Sequence, residues 1–380
     1  MVPIGTYSQV TLAFSSPRFT VLDTSNTPPQ PVALTPVLGT SEVTVPITPA
    51  LQIRESSASA IIIKLDLWSS LEHTPQGAYT GKITPSVVVT ADNAPGSTLP
   101  LDEVHGVVFS VSTDSWMLRS FNIGLENAPF GGPHIVQVDG QSKFLGVSRL
   151  EDLKKGHFVD IRGAVSNQGS LYAGEVQAEA LNDATQNKAA FLGLVTSVSP
   201  GSLTLFVREE APMLTNLDAT GTVVLATWSP GVQFGVATAQ SALQLPFSAE
   251  NLLAGQHIAV HGTAHPGSPA TVDATTMTLR RQAVLISGAY DFVIASDDKT
   301  GGFSADLKEV GTGRGVPITV ITGSSTTFIN IRNLRDIFAL DGMSIKGLLY
   351  WQPHAGSLNG KSWPAGSRVL VAEQITRIAV

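Results

Sequence analysis

His257, His261 and His265 recur at every fourth residue, the spacing that stacks imidazoles on one face of a helix and suits a metal ion. The residues around them, Leu253-Ala254-Gly255-Gln256-His257-Ile258-Ala259-Val260-His261-Gly262, read instead as a turn glycine followed by a strand. On a strand, residues four apart share a face but stand about 13 Å from each other, too far for one ion. The expectation is no metal site, and histidines on the solvent side of a strand. Asp297-Asp298-Lys299-Thr300-Gly301-Gly302 is acidic enough for a calcium loop but lacks the alternating oxygen ligands and the distal glutamate, so a hairpin turn is expected. Gly311-Thr312-Gly313-Arg314-Gly315 has the glycines of a phosphate cradle. Val316-Pro317-Ile318-Thr319-Val320 follows it, where the helix N-terminus that binds the anion would have to be.

Hydrolytic chemistry finds no foothold nearby. The sequence has no Gly-x-Ser-x-Gly elbow and no cysteine nucleophile. Glu209-Glu210 and Glu151-Asp152 are adjacent pairs, and neighbours on a strand point to opposite faces, so neither pair can work as facing acid and base. A carboxylate dyad drawn from distant strands is an alternative that no local signature supports. The remaining candidates are aromatic: Tyr350, Trp351 and Trp363 could stack on a sugar ring. The competing reading is that Tyr350 and Trp351 supply buried area at a barrel rim or a domain interface.

These residues must be positioned by strands. Of the 380 residues only 14% are charged, lysine is scarce, and apolar residues do not recur at helical spacing over any long stretch. Short β-branched runs divided by Gly, Pro, Asn and Asp point to an all-β chain of several domains. A net charge of −7 argues against a polyanion partner, as does the balance of basic to acidic residues: six to nine over 103–180, three to five over 190–281, nine to eight over 282–380. No nucleic acid is therefore expected as a partner, and no cofactor. The absence of cysteine removes disulfides and thiolate metal sites. No apolar run is long enough for a transmembrane helix, and Met1-Val2-Pro3-Ile4-Gly5 has neither the basic nor the apolar region of a signal peptide.

A turn and a strand recur three times: Leu153-Lys154-Lys155-Gly156-His157-Phe158-Val159-Asp160-Ile161-Arg162-Gly163, the histidine-bearing stretch above, and Leu340-Asp341-Gly342-Met343-Ser344-Ile345-Lys346-Gly347. The period of roughly 90–100 residues is that of a small β domain. Each unit predicts five short strands with a helical turn before the fourth, a pattern compatible with a small barrel of the oligonucleotide/oligosaccharide-binding (OB) type. In the third an insertion runs around Ser357–Trp363. Ahead of them, Val10, Leu12 and Phe14 alternate in a first strand. Val43-Thr44-Val45-Pro46-Ile47 reads as an edge strand because of its proline, and Ile63, Leu65 and Leu67 share one face of a further strand. Asp92–Ser97 and Asn182–Asn187 read as polar linkers, the second able to act as a hinge.

Gly5-Thr6-Tyr7, Ile63-Lys64-Leu65-Asp66-Leu67-Trp68-Ser69-Ser70-Leu71 and Gly77-Ala78-Tyr79 with Ile83-Thr84-Pro85 resemble the C-terminal half of a family of unknown function found in bacterial cell-envelope lipoproteins. That resemblance implies a β-sandwich-like domain. It also implies membrane anchoring where a lipidated N-terminus precedes these residues. The three units over 103–380 resemble a second uncharacterised bacterial family that occurs in tandem in exported proteins, on the strength of the glycine-opened first strand and the Leu-x-x-Gly strand.

The fold expected is all-β: a partial β-sandwich over 1–95, then three tandem small five-stranded OB-like β-barrels over 103–180, 190–281 and 282–380. The function expected is that of a non-enzymatic, exported envelope or surface protein with a glycan or an envelope protein as partner. A carbohydrate-active or ligand-binding protein with its site on one barrel face is the first alternative. An intracellular scaffold is the second.

Overall fold

The computed structural model describes every residue except 1–2, 16, 18, 24–29, 56–58, 75–78, 93–97, 113–118, 126–133, 156, 167–169, 179–188, 211–218, 220, 238–242, 309–314, 340 and 378–380. The expected linkers at 93–97 and 182–187 and the glycine loop at 311–314 thus lie outside the described residues. The chain is nearly all β, as its composition predicts. It forms two compact units, one mainly of Met1–Leu22 and Pro31–Ala178, the other mainly of Glu179–Glu309 and Gly313–Val380. Among the described residues no helix is long and apolar enough to cross a membrane.

The first unit opens with β1 (Gly5–Ala13), β2 (Phe19–Asp23), β3 (Gln30–Leu34), β4 (Val37–Leu38), β5 (Glu42–Ile53), β6 (Ala60–Asp66), α1 (Leu67–Ser70), β7 (Leu71–His73), β8 (Tyr79–Ile83) and β9 (Ser86–Asp92). Four of these strands pair in the order β1-β5-β9-β6 and three in the order β4-β8-β7, while β2 pairs with β3. Val45, Ile47, Leu51, Val89 and Ala91 form the core of this part.

Two expectations are corrected here. The strand holding Pro46 is not an edge: β5 lies between β1 and β9, and Pro46 is tolerated because it stands opposite Gln9, where the β1–β5 register breaks. The strand through Ile63 and Leu65 stops at Asp66, and Leu67 begins α1 instead of continuing it. The Asp66 carboxylate accepts bonds from the Ser69 N–H (2.9 Å) and hydroxyl (2.6 Å), and this side-chain cap turns the chain into α1. β1 and β6 are the edges of this sheet, and Ile61, Ile62, Ile63 and Leu65 on β6 stay exposed.

The barrels follow. The first consists of β10 (Thr98–Ser112), β11 (Arg119–Leu125), β12 (His134–Val138), β13 (Lys143–Leu145), β14 (Phe158–Ser166) and β15 (Leu171–Ala178). The second has β16 (Ala189–Ser199), β17 (Ser202–Glu210), β18 (Val223–Val236), β19 (His257–His265) and β20 (Ala270–Leu279). The third has β21 (Gln282–Ile294), β22 (Gly301–Lys308), β23 (Gly315–Thr322), β24 (Thr327–Ile329), β25 (Met343–Gln352), β26 (Gly356–Leu358), β27 (Lys361–Trp363) and β28 (Ser367–Arg377).

The second barrel closes in the order β16-β17-β18-β20-β19, that is, first, second, third, fifth, fourth. The β18–β20 contact in it is parallel. The other two repeat this ring through the parallel pairs β12–β15 and β23–β28. The fold is thus the OB-like arrangement expected from the sequence.

A 3-10 turn precedes the fourth main strand each time, at Leu150–Asp152, Ala249–Asn251 and Leu334–Asp336. The segment next to it, Leu-x-x-Gly in the first two barrels and without that glycine in the third, makes one reciprocal turn in three chemistries. The Lys154 N–H donates to His157 Nδ1 (3.2 Å), Leu253 N–H to Gln256 Oε1 (2.6 Å), and Phe338 N–H to Asp341 Oδ2 (2.9 Å). In return the N–H of His157, Gln256 and Asp341 donates to the carbonyl of Lys154, Leu253 and Phe338. A side-chain acceptor is what the position requires, and three residue types supply it.

The closing glycine of each copy has one physical cause. Gly163, Gly262 and Gly347 each follow a register break between the fourth and fifth strands. A Cβ there would lie 1.8, 2.0 and 2.2 Å from the carbonyl oxygens of Tyr172, Asp273 and Val371. Only glycine admits so close a backbone. Gly262→Ala is expected to cost about 1–3 kcal/mol through forced strand displacement. Urea unfolding measures this, and an unchanged midpoint would contradict it.

Candidate functional site

Period-two alternation along β25 sends its side chains to two different cores. Leu349 joins the interior of the third barrel with Phe303, Val320 and Leu370. Leu348 and Tyr350 point out of that barrel and, with Val371, enter the core of the second beside Phe247, Leu252 and Met277. Tyr350 has no exposed area. Its ring meets Phe247 edge-on at 6.4 Å, Phe247 meets Phe234 at 5.7 Å, and Phe234 meets Trp228 at 6.4 Å. Burial raises the Tyr350 hydroxyl above the usual tyrosine value.

The rings named as sugar-stacking candidates are therefore placed apart from solvent in two cases out of three. Tyr350 lies in the joint between barrels. Trp363, 5% exposed, packs on Ile321, Val369, Leu245 and Leu358. Neither offers a face for a ligand to stack on. Trp351 is half-buried, and its carbonyl accepts from Asn251 Nδ2 at 3.0 Å.

Polar groups finish this joint. Gln256, the turn residue of the second barrel, donates from Nε2 to the Leu349 carbonyl (2.9 Å) and the Asn251 carbonyl (2.8 Å). Gln282 accepts from the His257 N–H (2.9 Å) and donates to the Gly255 carbonyl (3.0 Å). Arg281 and Glu373 pair at 3.0 Å with side chains 3% and 4% exposed. Sequence reading missed all of these. The signal for Arg281 was present in Arg280-Arg281, a basic pair between two strands with no turn residue beside it. Glu373 carried none, because its partner lies 92 residues away.

The insertion of the third barrel is the β26–β27 hairpin. It lies between the fourth and fifth main strands, the loop that OB folds place beside their ligand face. Here the hairpin closes on its own barrel. Lys361, 2% exposed, donates from Nζ to the Asp291 carbonyl (2.6 Å) and carboxylate (2.5 Å), and Asn359 Nδ2 donates to the Thr322 carbonyl (2.7 Å). Asp291 adopts φ +51°, which turns both oxygens toward the amine. The ammonium holds the Asp291 carboxyl below the usual carboxylate range. This part of the third barrel is occupied by the protein itself.

The histidine triplet also resolves. His257, His261 and His265 lie on β19, as a strand reading requires. The expected solvent-facing position is corrected for His261, which is fully buried. β19 is flanked on both sides, and His261 sits in register between Ala190 and Thr276, both buried as well. His265 is exposed, with Nε2 2.9 Å from Asp273 Oδ2, while Thr227 Oγ1 donates to Asp273 Oδ1 at 2.9 Å. The threonine bonds the carboxylate rather than the imidazole, so it is not a nucleophile activated by histidine.

Among the described residues no group of three or more His, Cys, Asp or Glu side chains could hold a metal ion. Asp297 makes the expected hairpin turn between β21 and β22, accepting the Lys299 and Thr300 N–H groups at 3.1 and 2.8 Å.

An exposed apolar surface occurs on the first barrel instead. Tyr172 on β15 stands in parallel register with Gln137 on β12, and Ile135 shares the Gln137 face. Tyr172 and Ile135 are 41% and 56% exposed. Residues 105–177, nearly the whole of this barrel, match the family described as a domain of unknown function (DUF5666). No curated protein matches the chain.

Proposed function

We propose that this chain is a non-enzymatic protein of the bacterial envelope or surface, whose tandem β modules act as a stiff holder and present a binding face to a glycan or an envelope protein. One observation carries the reading. The second and third barrels share a core through Tyr350 and are joined by Arg280-Arg281 alone, both buried, between β20 and β21. A connection of that kind suits a spacer and does not suit a pair of domains that close on a substrate. The location rests on the resemblance of the first hundred residues to an envelope-lipoprotein domain, and on the reading of all three barrels as copies of the module matched at 105–177.

Fractionation of native cells with mass-spectrometric mapping of the N-terminus tests this. The protein is expected in the membrane or exported fraction, and an unmodified Met1 in the cytosol would move the reading to an intracellular scaffold. Turnover of any glycan by the purified protein would sink the non-enzymatic claim.

The exposed Tyr172 and Ile135 favour one further reading, a ligand face on the first barrel. Tyr172→Ala is then expected to weaken polysaccharide binding by up to about tenfold, the range set by loss of one stacking ring. Trp351→Ala is the companion variant for the third barrel. Unchanged affinity in both would leave these rings as packing residues.

A further inference from the structure

The three equivalent turns differ in one respect that matters chemically. Gln256 has no proton to gain in water. His157 does, and it accepts a hydrogen bond on the atom that would take that proton. We infer that the turn before β14 is an acid-released latch, which holds the first barrel closed only while the His157 ring is neutral.

The geometry supports each step. Nδ1 accepts from the Lys154 N–H at 3.2 Å, so the neutral ring carries its hydrogen on Nε2. Imidazolium would present a donor to that same N–H, and the bond would be lost. The His157 carbonyl accepts from the Val108 N–H at 2.9 Å, tying the turn to β10, the first strand of the barrel. The second barrel has the same tie, from the Val195 N–H to the Gln256 carbonyl at 2.8 Å. Leu150 and Leu153, just before the turn, are core residues of the first barrel. Release of the ring thus loosens the contact between first and fourth strands and uncovers apolar surface.

Three carboxylates lie near His157 in the chain: Glu151 and Asp152 in the preceding 3-10 turn, where Asp152 accepts from the Ser148 N–H and pairs with Arg149, and Asp160 farther along its strand. The turn itself carries Glu151 and Lys154, with Lys154 Nζ donating to the Glu151 carbonyl at 3.4 Å. β10 brings Val107 and Val108 beside the ring's residue and His105 in register with Asp160. β14 brings Asp160, buried and three residues away, and β15 brings Gln177 and Ala178. Burial, and then the Lys154 charge, depress the His157 pKa from 6.5 to about 4.

The sign follows from which state binds the proton. The opened turn takes up a proton near the ordinary histidine value and the closed turn only near 4. The latch is therefore complete well above pH 6.5 and weakens as pH falls toward 4, by about two orders of magnitude in its closing equilibrium.

Hydrogen-exchange mass spectrometry on the full chain tests this, with protection factors corrected for intrinsic rates. Protection of the Lys154 and Val108 amides is expected to fall by about two orders of magnitude between pH 6.5 and 4. In His157→Gln, which installs the acceptor used by the second barrel, that pH-dependent loss is expected to vanish. A variant that keeps the wild-type pH profile would overturn the latch. Should the variant fail to fold, NMR titration of the His157 ring in the wild-type chain decides instead: a value at or above about 6.5 overturns it.

Discussion

Glu373→Ala is expected to lower the stability of the second unit by about 3–5 kcal/mol, because it removes the carboxylate paired with the buried Arg281 guanidinium. The pair sits at the joint between barrels, where its two side chains are 3% and 4% exposed. Water cannot replace the lost partner there, and the guanidinium keeps its proton at any working pH. The double variant Arg281→Met with Glu373→Leu is expected to recover most of the loss, since a buried ion pair exchanged for apolar side chains of similar size is often neutral or better. Urea unfolding of the single and double variants measures both quantities. A loss under about 1 kcal/mol for Glu373→Ala is the range of exposed pairs and would show that the joint is wet.

Tyr350→Ala should be equally severe, at about 3–5 kcal/mol, and its effect should not be confined to one barrel. The side chain leaves the backbone of the third barrel and fills the core of the second. Its removal opens a cavity beside Phe247, and the Phe234–Phe247 contact loses its inner support. Tyr350→Phe retains the ring and is expected to retain most of the stability. The informative readout is the number of thermal transitions. In the wild-type unit the two barrels are expected to melt together, whereas in Tyr350→Ala the shared core is broken and two transitions should separate. A single transition in the variant would mean that the polar contacts of Gln256 and Asn251 suffice to couple the barrels.

Much of the architecture was legible because it is local. The turn glycine, the alternating strand and the closing glycine recur within a dozen residues, and the hairpin at Asp297 is built from its own neighbours. Where the sequence misled, the decisive contact was long-range. Pro46 marked an edge strand on local grounds, yet a register break opposite Gln9 lets it stand inside a sheet. His261 alternates like a surface residue, yet its face of β19 is covered and the ring is fully buried. Tyr350 and Trp363 have the chemistry of a sugar platform, but whether a ring on a barrel's outer face meets solvent depends on what docks there. For Tyr350 that is a second barrel. For Trp363 it is the inside of its own hairpin's contact with Ile321 and Val369. Asp66 shows the opposite case: its cap on Ser69 is a local signal that could have ended the strand one residue before Leu67.

The two-residue connection between β20 and β21 has a mechanical consequence. Arg280 and Arg281 are all the chain there is between Leu279 and Gln282, and both are buried. Two residues drawn fully straight span only about 7 Å. Tension applied along the chain would therefore find almost no slack at this point. It would act at once on the hydrogen bonds between β20 and β19 on one side and between β21 and β25 on the other. A twist imposed on one barrel would likewise be handed to the next rather than dissipated, which makes the pair a transmitter of torque instead of a swivel.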